Sequence, residues 1–385
     1  MTPGSVWTND LPVIVQALRT PIGTAGRSLA ALAAADLAAP AIAAVARAVG
    51  GDAATVRDVV LGNCMGPGGN VARFAALQAG LSVDVPGLTV DRQCGSGLAA
   101  IVLAASMVRS EPGVVLAGGV ESASTAPWRS WPPAPGAEAT RYTRAPFAPP
   151  TLGDPDMGPA ADQLAAAFAV TRACQDEYAA RSHARAVATL NADGYRSEIV
   201  PVGGVDQDER PRKRLTADRL SRLRPAFGPG GTVTAGNSCG INDGAAVVAV
   251  TNASTYRRMR GPGLRILSTA TAGVDPNRPG LGIVPATQQA LQRARLTLDD
   301  IDVIEFNEAF AGQVLACCAA LGLAPERVCP EGGALALGHP WGASGAVLAV
   351  RLFAQLARRL GGRYGLAAIA VGGGQGVAMV VEACR

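Results

Sequence analysis

The chain has 385 residues, is 49% hydrophobic and 17% charged, and carries a formal net charge of +4. That apolar content can fill a large core over two or three domains, and so small a charge points to no nucleic-acid surface while leaving small acidic ligands open. No N-terminal run has the basic, apolar, then small-residue order of an export signal, and Asp36, Pro40 and Arg47 interrupt the apolar stretch over 29–49, so a soluble cytoplasmic protein with no membrane contact is expected.

Short β-branched runs alternate with Ala-rich helical stretches. Strands are expected over 11–16, 59–63, 88–93, 114–117 and 245–251, then over 264–271, 303–306, 367–371 and 377–382. The alternation reads as α/β with largely parallel sheets. Residues 128–156 are rich in Pro and Arg without sustained periodicity and read as an inserted loop, followed by helical patterns over 159–169 and 175–191. A basic cluster comes next: Arg210, Arg212, Lys213 and Arg214, with Arg219, Arg222 and Arg224 close behind. It reads equally as a solvated face and as a contact for a phosphate-bearing ligand.

Cys94 carries the first chemical signal. In Asp91-Arg92-Gln93-Cys94-Gly95-Ser96-Gly97 a β-type run delivers a thiol onto a turn that opens a helix, where partial positive charge and free N–H groups lower a thiol pKa and hold an oxyanion. A thiol nucleophile needs a base. His339, one of two histidines, sits in Gly338-His339-Pro340-Trp341-Gly342-Ala343-Ser344-Gly345, again just before an apolar helix. The other, His183, lies in a charged amphipathic pattern and reads as solvated surface.

The two ends echo each other. Gly95-Ser96-Gly97-Leu98 leads through a helix to Val114–Ser122 with its Gly118-Gly119 pair, and Gly342-Ala343-Ser344-Gly345 leads likewise to Ala370-Val371-Gly372-Gly373. Duplication with the two turns facing each other is expected. Eight cysteines are scattered without Cys-x-x-Cys spacing, which points away from zinc and disulfides and toward reduced, mostly buried thiols.

Several long motifs in order make the chain resemble the thiolase family of acyl-CoA acetyltransferases nearly end to end. They are Arg19-Thr20-Pro21-Ile22-Gly23, the Cys94 segment, Gly118-Gly119-Val120-Glu121-Ser122, residues 234–244, Asn307-Glu308-Ala309-Phe310-Ala311, Gly338-His339-Pro340 and Gly372-Gly373-Gly374-Gln375-Gly376. The resemblance implies a five-layered αβαβα fold of two duplicated halves. The N-terminal half would be 1–118 plus 235–255, the inserted loop domain covering coenzyme A 119–234, and the C-terminal half 256–385. Cys94 would be the acylated nucleophile, His339 its base, Asn307 an oxyanion partner through a water, and the N–H groups of Cys94 and Gly372 a second oxyanion hole. Met157, Arg212, Ser238, Cys239 and Phe310 would contact coenzyme A, with Cys239 standing where a serine is usual beside the pantetheine arm and Arg212 facing the nucleotide end. Acyl-CoA and coenzyme A would be substrates, with no permanently bound cofactor and no metal, and the assembly a homodimer or homotetramer.

One departure matters. Members resembling this chain carry a second cysteine where Ala370 stands, and another branch carries it where Ala309 stands. Alanine exchanges no proton. Cys239, Cys317 and Cys318 are candidates to replace it; Cys317 and Cys318 read as helix core, and Cys239 as nearer the pantetheine than the α-carbon. Three functions therefore remain: a thiolase making or breaking carbon–carbon bonds, an acyltransferase or thioesterase serving a non-carbon acceptor, and an acyl-CoA-holding scaffold. The complete nucleophile, base and oxyanion residues speak against the scaffold.

Overall fold

The computed structural model describes residues 11–50, 56–259 and 261–384. The N-terminal part builds β1 (Val13–Arg19), β2 (Gly23–Thr24), α1 (Ala34–Ala48), β3 (Val56–Gly62), α2 (Val71–Gln78), β4 (Gly87–Val90), α3 (Ser96–Ser110) and β5 (Val114–Ser122). An insertion follows, with β6 (Arg129–Trp131), β7 (Thr140–Tyr142), α4 (Met157–Ala167), α5 (Arg172–Asn191) and α6 (Ala217–Ser221). The chain returns through β8 (Asn242–Thr251) and α7 (Ala253–Met259). It ends with β9 (Gly263–Gly273), α8 (Ile283–Ala294), β10 (Val303–Phe306), α9 (Ala311–Leu321), α10 (Ala334–Leu337), α11 (Trp341–Leu352), β11 (Tyr364–Val371) and β12 (Gln375–Cys384).

The strands run in the order β10-β11-β12-β9-β1-β8-β5-β3-β4. Two sheet halves meet where β1 touches β9 through only Val13–Arg265 and Ile14–Leu264. The expected parallel pairing is corrected: β3–β4, β3–β5 and β10–β11 are parallel, whereas β1–β8, β5–β8, β9–β12 and β11–β12 are antiparallel. The cause is that β5 and β8 are buried on both faces, so they read as the continuous apolar runs usual for parallel strands. Burial, rather than direction, was the signal.

Side chains of β8 alternate between two cores. Ala245, Val247 and Ala249 pack with α1 and α2, while Ala246, Val248 and Val250 face the central helices α3 and α11. In the other half, Ala367, Ile369 and Val371 of β11 join that same central core, and Leu366 and Ala368 pack outward against α8 and α9. Five layers result, helix, sheet, helix pair, sheet, helix. Burying each Leu, Ile or Val side chain contributes about 1.5–3 kcal/mol, which favours sandwiching both faces.

The echoing turns supply the two central helices, and these touch at their N-terminal ends because both are glycine there. A Cβ on Gly97 would lie 2.8 Å from the Ala346 nitrogen, and one on Gly345 would lie 2.5 Å from the Leu98 nitrogen. Close approach of those turns fixes the relative position of what precedes them, Cys94 and His339. A buried ion cluster clamps the insertion onto this centre: Arg19 of β1 bonds Glu198 (2.8 Å) and Asp208 (2.6 Å), and Arg351 of α11 pairs with Glu198 and Glu331.

Three further expectations are corrected. Residues 128–156 contain a short hairpin, β6–β7, whose Trp131 and Tyr142 stack at 4.9 Å. His183 is buried, not solvated: α5 turns it inward, where its Nδ1 accepts from the Arg212 N–H (3.3 Å). All eight cysteines are free, but only Cys317, Cys318 and Cys329 are buried; Cys174 is exposed and the rest are half-buried. Among the described residues no helix is long and apolar enough to cross a membrane.

Candidate active site

Cys94 stands between β4 and α3 on a turn held under strain. Gln93 adopts φ +45, a left-handed conformation that a non-glycine residue keeps only when its surroundings impose it. Its N–H donates to Asp91 Oδ1 (2.7 Å), and its carbonyl accepts from the Ser96 hydroxyl (2.6 Å). The Ser96 Oγ in turn accepts from the Arg92 N–H (2.7 Å).

The expected lowering of the Cys94 pKa is overturned. Burial pushes the thiol up to about 12, with the Glu121 and Asp91 charges adding to it, while the N–H groups of Cys94 itself and of Gly372 pull the other way. Desolvation outweighs the helix N-terminus. At neutral pH the resting residue is therefore a thiol, and nucleophilic attack requires something to take its proton.

His339 is placed to be that group. Its N–H donates to Asn242 Oδ1 (2.9 Å) and its Nδ1 lies 2.6 Å from Ser344 Oγ. With the Ser344 hydroxyl proton given to the Pro340 carbonyl (2.9 Å), the Oγ accepts from His339, and the imidazole proton is assigned to Nδ1. Nε2 keeps a free lone pair. Burial lowers the His339 pKa to about 4, so the ring stays neutral and able to accept a proton across the physiological range.

Cys94 and His339 line one cavity of about 120 Å3 together with Met157, Cys239, Phe310, Ala370 and Gly372. Leu164, Pro279, Gln313 and Trp341 complete walls that are mostly apolar. Asn307 does not line this cavity. It is buried beside a second one of about 20 Å3, shared with Gly338 and Ser344, which has room for one water. Ser238 is also outside, its hydroxyl donating to the Thr234 carbonyl (2.6 Å) and its backbone bridging to Phe310. Arg212 lies exposed on the surface with Lys213 and Arg214.

None of residues 128–156 lines the cavity of Cys94 and His339. Trp128 is exposed and carries Arg141 over its ring at 3.8 Å, and the Phe147 ring packs against Gly372. Three residues escaped sequence reasoning as individuals. Glu121 accepts from the N–H groups of Cys64, Met65 and Gly342 and so joins the Cys94 side to the start of α11. A lone charge in the otherwise small and apolar β5 was its signal. Asn242 and Ser344 orient His339, and Ser344 is visible only as the hydroxyl five residues after it.

Comparison with known proteins shows the family. The N-terminal domain of thiolase matches residues 12–254, and the C-terminal domain of thiolase matches residues 262–383. The chain is 44% identical over 394 residues to the beta-ketothiolase BktB of Cupriavidus necator, covering 96% of this chain and 98% of that one. It is 43% identical to the acetyl-CoA acetyltransferase of Escherichia coli, again covering 96% and 98%. The crystal structure of the Bacillus anthracis acetyl-CoA acetyltransferase superposes with a TM-score of 0.90 at 36% identity, covering 97% of this chain and 99% of that one. Fold, order of motifs and end-to-end similarity agree, and this chain belongs to the thiolase family, as an acyltransferase enzyme.

Proposed function

We propose that the chain transfers acyl groups to and from coenzyme A through a thioester on Cys94. The observation that carries this reading is the presence on one mostly apolar cavity of Cys94 and His339, a thiol that burial keeps protonated and an imidazole that burial keeps neutral. His339 takes the Cys94 proton as sulfur attacks the acyl carbonyl, and returns it when the thioester is cleaved. The N–H groups of Cys94 and Gly372, which already point at the sulfur, hold the oxyanion of the tetrahedral intermediate. Each such donor is worth about 3 kcal/mol of barrier. Asn307 would hold a water in the small neighbouring cavity and act on the carbonyl oxygen through it.

Met157, Cys239 and Phe310 would flank the pantetheine arm, with Ser238 supporting that segment and Arg212 meeting the nucleotide phosphates. Coenzyme A is a substrate here rather than a resident cofactor. The division into 1–118 plus 235–255, 119–234 and 256–385 accompanies this reading, as do a cytoplasmic location and a homodimeric or homotetrameric assembly. A second reading, transfer to a non-carbon acceptor, draws on Ala309 and Ala370, which both line the cavity and exchange no proton.

The test compares release of free coenzyme A from acetyl-CoA in the first turnover. A burst is expected from the original chain, none from Cys94→Ala, and one slowed at least about 10²-fold from His339→Ala. An undiminished burst from Cys94→Ala removes the reading.

A further inference from the structure

Making or breaking a carbon–carbon bond next to a thioester needs a group that exchanges a proton with the α-carbon. Among the described residues, the titratable groups lining the cavity are Cys94, His339 and Cys239. Cys94 carries the acyl group and His339 holds the proton taken from it, which leaves Cys239.

Its setting suits the task. The Cys239 N–H donates to the Ala309 carbonyl (2.9 Å), tying the residue to the segment that forms the cavity wall. Burial and the nearby Cys94 raise the thiol pKa to about 12, so Cys239 rests as a proton donor, and Arg210 opposes that rise. The Arg210 guanidinium packs on the adjacent residue: a Cβ on Gly240 would lie 2.3 Å from its terminal nitrogen. Among the described residues no carboxylate forms an ion pair with Arg210, and its buried Nε has no hydrogen-bond partner. Desolvation lowers the Arg210 pKa, and the Cys239 and Glu209 charges oppose that lowering, so an anion forming at Cys239 is favourable for the guanidinium.

We propose that Cys239 is the proton-exchanging thiol of the carbon–carbon step, with Arg210 stabilising its thiolate. The proposal rests on the acyl-Cys94 reading. In cleavage of a 3-ketoacyl-CoA, the Cys94 sulfur bonds the keto carbon as its proton passes to His339. The bond between the α- and keto carbons breaks, and its electron pair leaves on the α-carbon, which takes the proton from Cys239. Acyl-Cys94, a Cys239 thiolate and a His339 imidazolium remain. Coenzyme A then gives its thiol proton to Cys239, its sulfur takes the acyl group, and Cys94 regains its proton from His339. Protons and charge balance without any added reactant.

The test follows exchange of the α-protons of acetyl-CoA for deuterium in heavy water, by mass spectrometry, beside the first-turnover burst. The original chain should exchange, and Cys239→Ser should lose at least about 10²-fold in exchange per acyl-enzyme formed, with the burst giving the amount of acyl-enzyme in each variant. Adding Ala370→Cys to Cys239→Ser should restore exchange. In the original chain, with Cys94 protected as its acyl-enzyme, methylthiolation of Cys239 should abolish exchange whatever the variants do. Exchange retained in Cys239→Ser or after methylthiolation overturns the proposal, as does an original chain that forms the acyl-enzyme but never exchanges; in each of these the acyl-Cys94 reading stands. An original chain that gives no burst overturns that reading, and the proposal with it.

Discussion

Removing the Ser344 hydroxyl isolates the contribution of one hydrogen bond to the base. The chain from His339 Nδ1 to Ser344 Oγ (2.6 Å) to the Pro340 carbonyl (2.9 Å) is buried throughout. Ser344→Ala deletes the one acceptor of the Nδ1 proton among the described residues and leaves a buried N–H unsatisfied, at a cost of about 1–3 kcal/mol. The imidazole relieves that cost by moving its proton to Nε2, the nitrogen that must be free to receive the Cys94 proton. At 1.36 kcal/mol per decade, the expected slowing of Cys94 acylation is about 10–100-fold. Stopped-flow measurement of coenzyme A release in the first turnover reads this directly, with thermal unfolding as a control for the fold. A rate within twofold of the original chain, in a variant that is stably folded, refutes the assignment of the tautomer and of the base.

Glu198→Ala should destabilise the protein by about 3–5 kcal/mol in urea unfolding, because it leaves Arg19 and Arg351 buried without the carboxylate they share; a loss under 1 kcal/mol would show that the cluster is not what holds the insertion. Acid should also destabilise the chain through its histidines. Burial lowers both His183 and His339 to about 4, with Arg210 and Arg212 contributing at His183, against an ordinary value of 6.5. Between those values the unfolded chain binds more protons than the folded one, so stability falls as pH drops. Each histidine should account for about 2 kcal/mol between pH 7.5 and 5. His183→Gln should therefore lose less stability than the original chain over that interval, and an identical loss would contradict the buried, neutral assignment.

What could be read from the sequence, and what could not, follows from the range of the interactions. The span of β10 and the core of β8 were visible because apolar runs are local. Strand direction was not, since β5 and β8 show the same buried pattern in either orientation. His183 was misread because its partner, the Arg212 N–H, lies across the insertion rather than on its own helix. The sign of the Cys94 shift went wrong for a similar reason: the helix N-terminus is a local feature, but the burial that dominates comes from both halves of the chain closing over the thiol. Asn307, visible as part of a motif, turned out to border a separate cavity whose walls come from α10 and α11 as well as its own segment.

The most direct test of the whole account is peptide mapping of the chain quenched during turnover of a 3-ketoacyl-CoA. Acyl label on the peptide containing Cys94, discharged when coenzyme A is added, is the predicted result. Label on any other residue, or turnover with no acylated peptide at all, would contradict it.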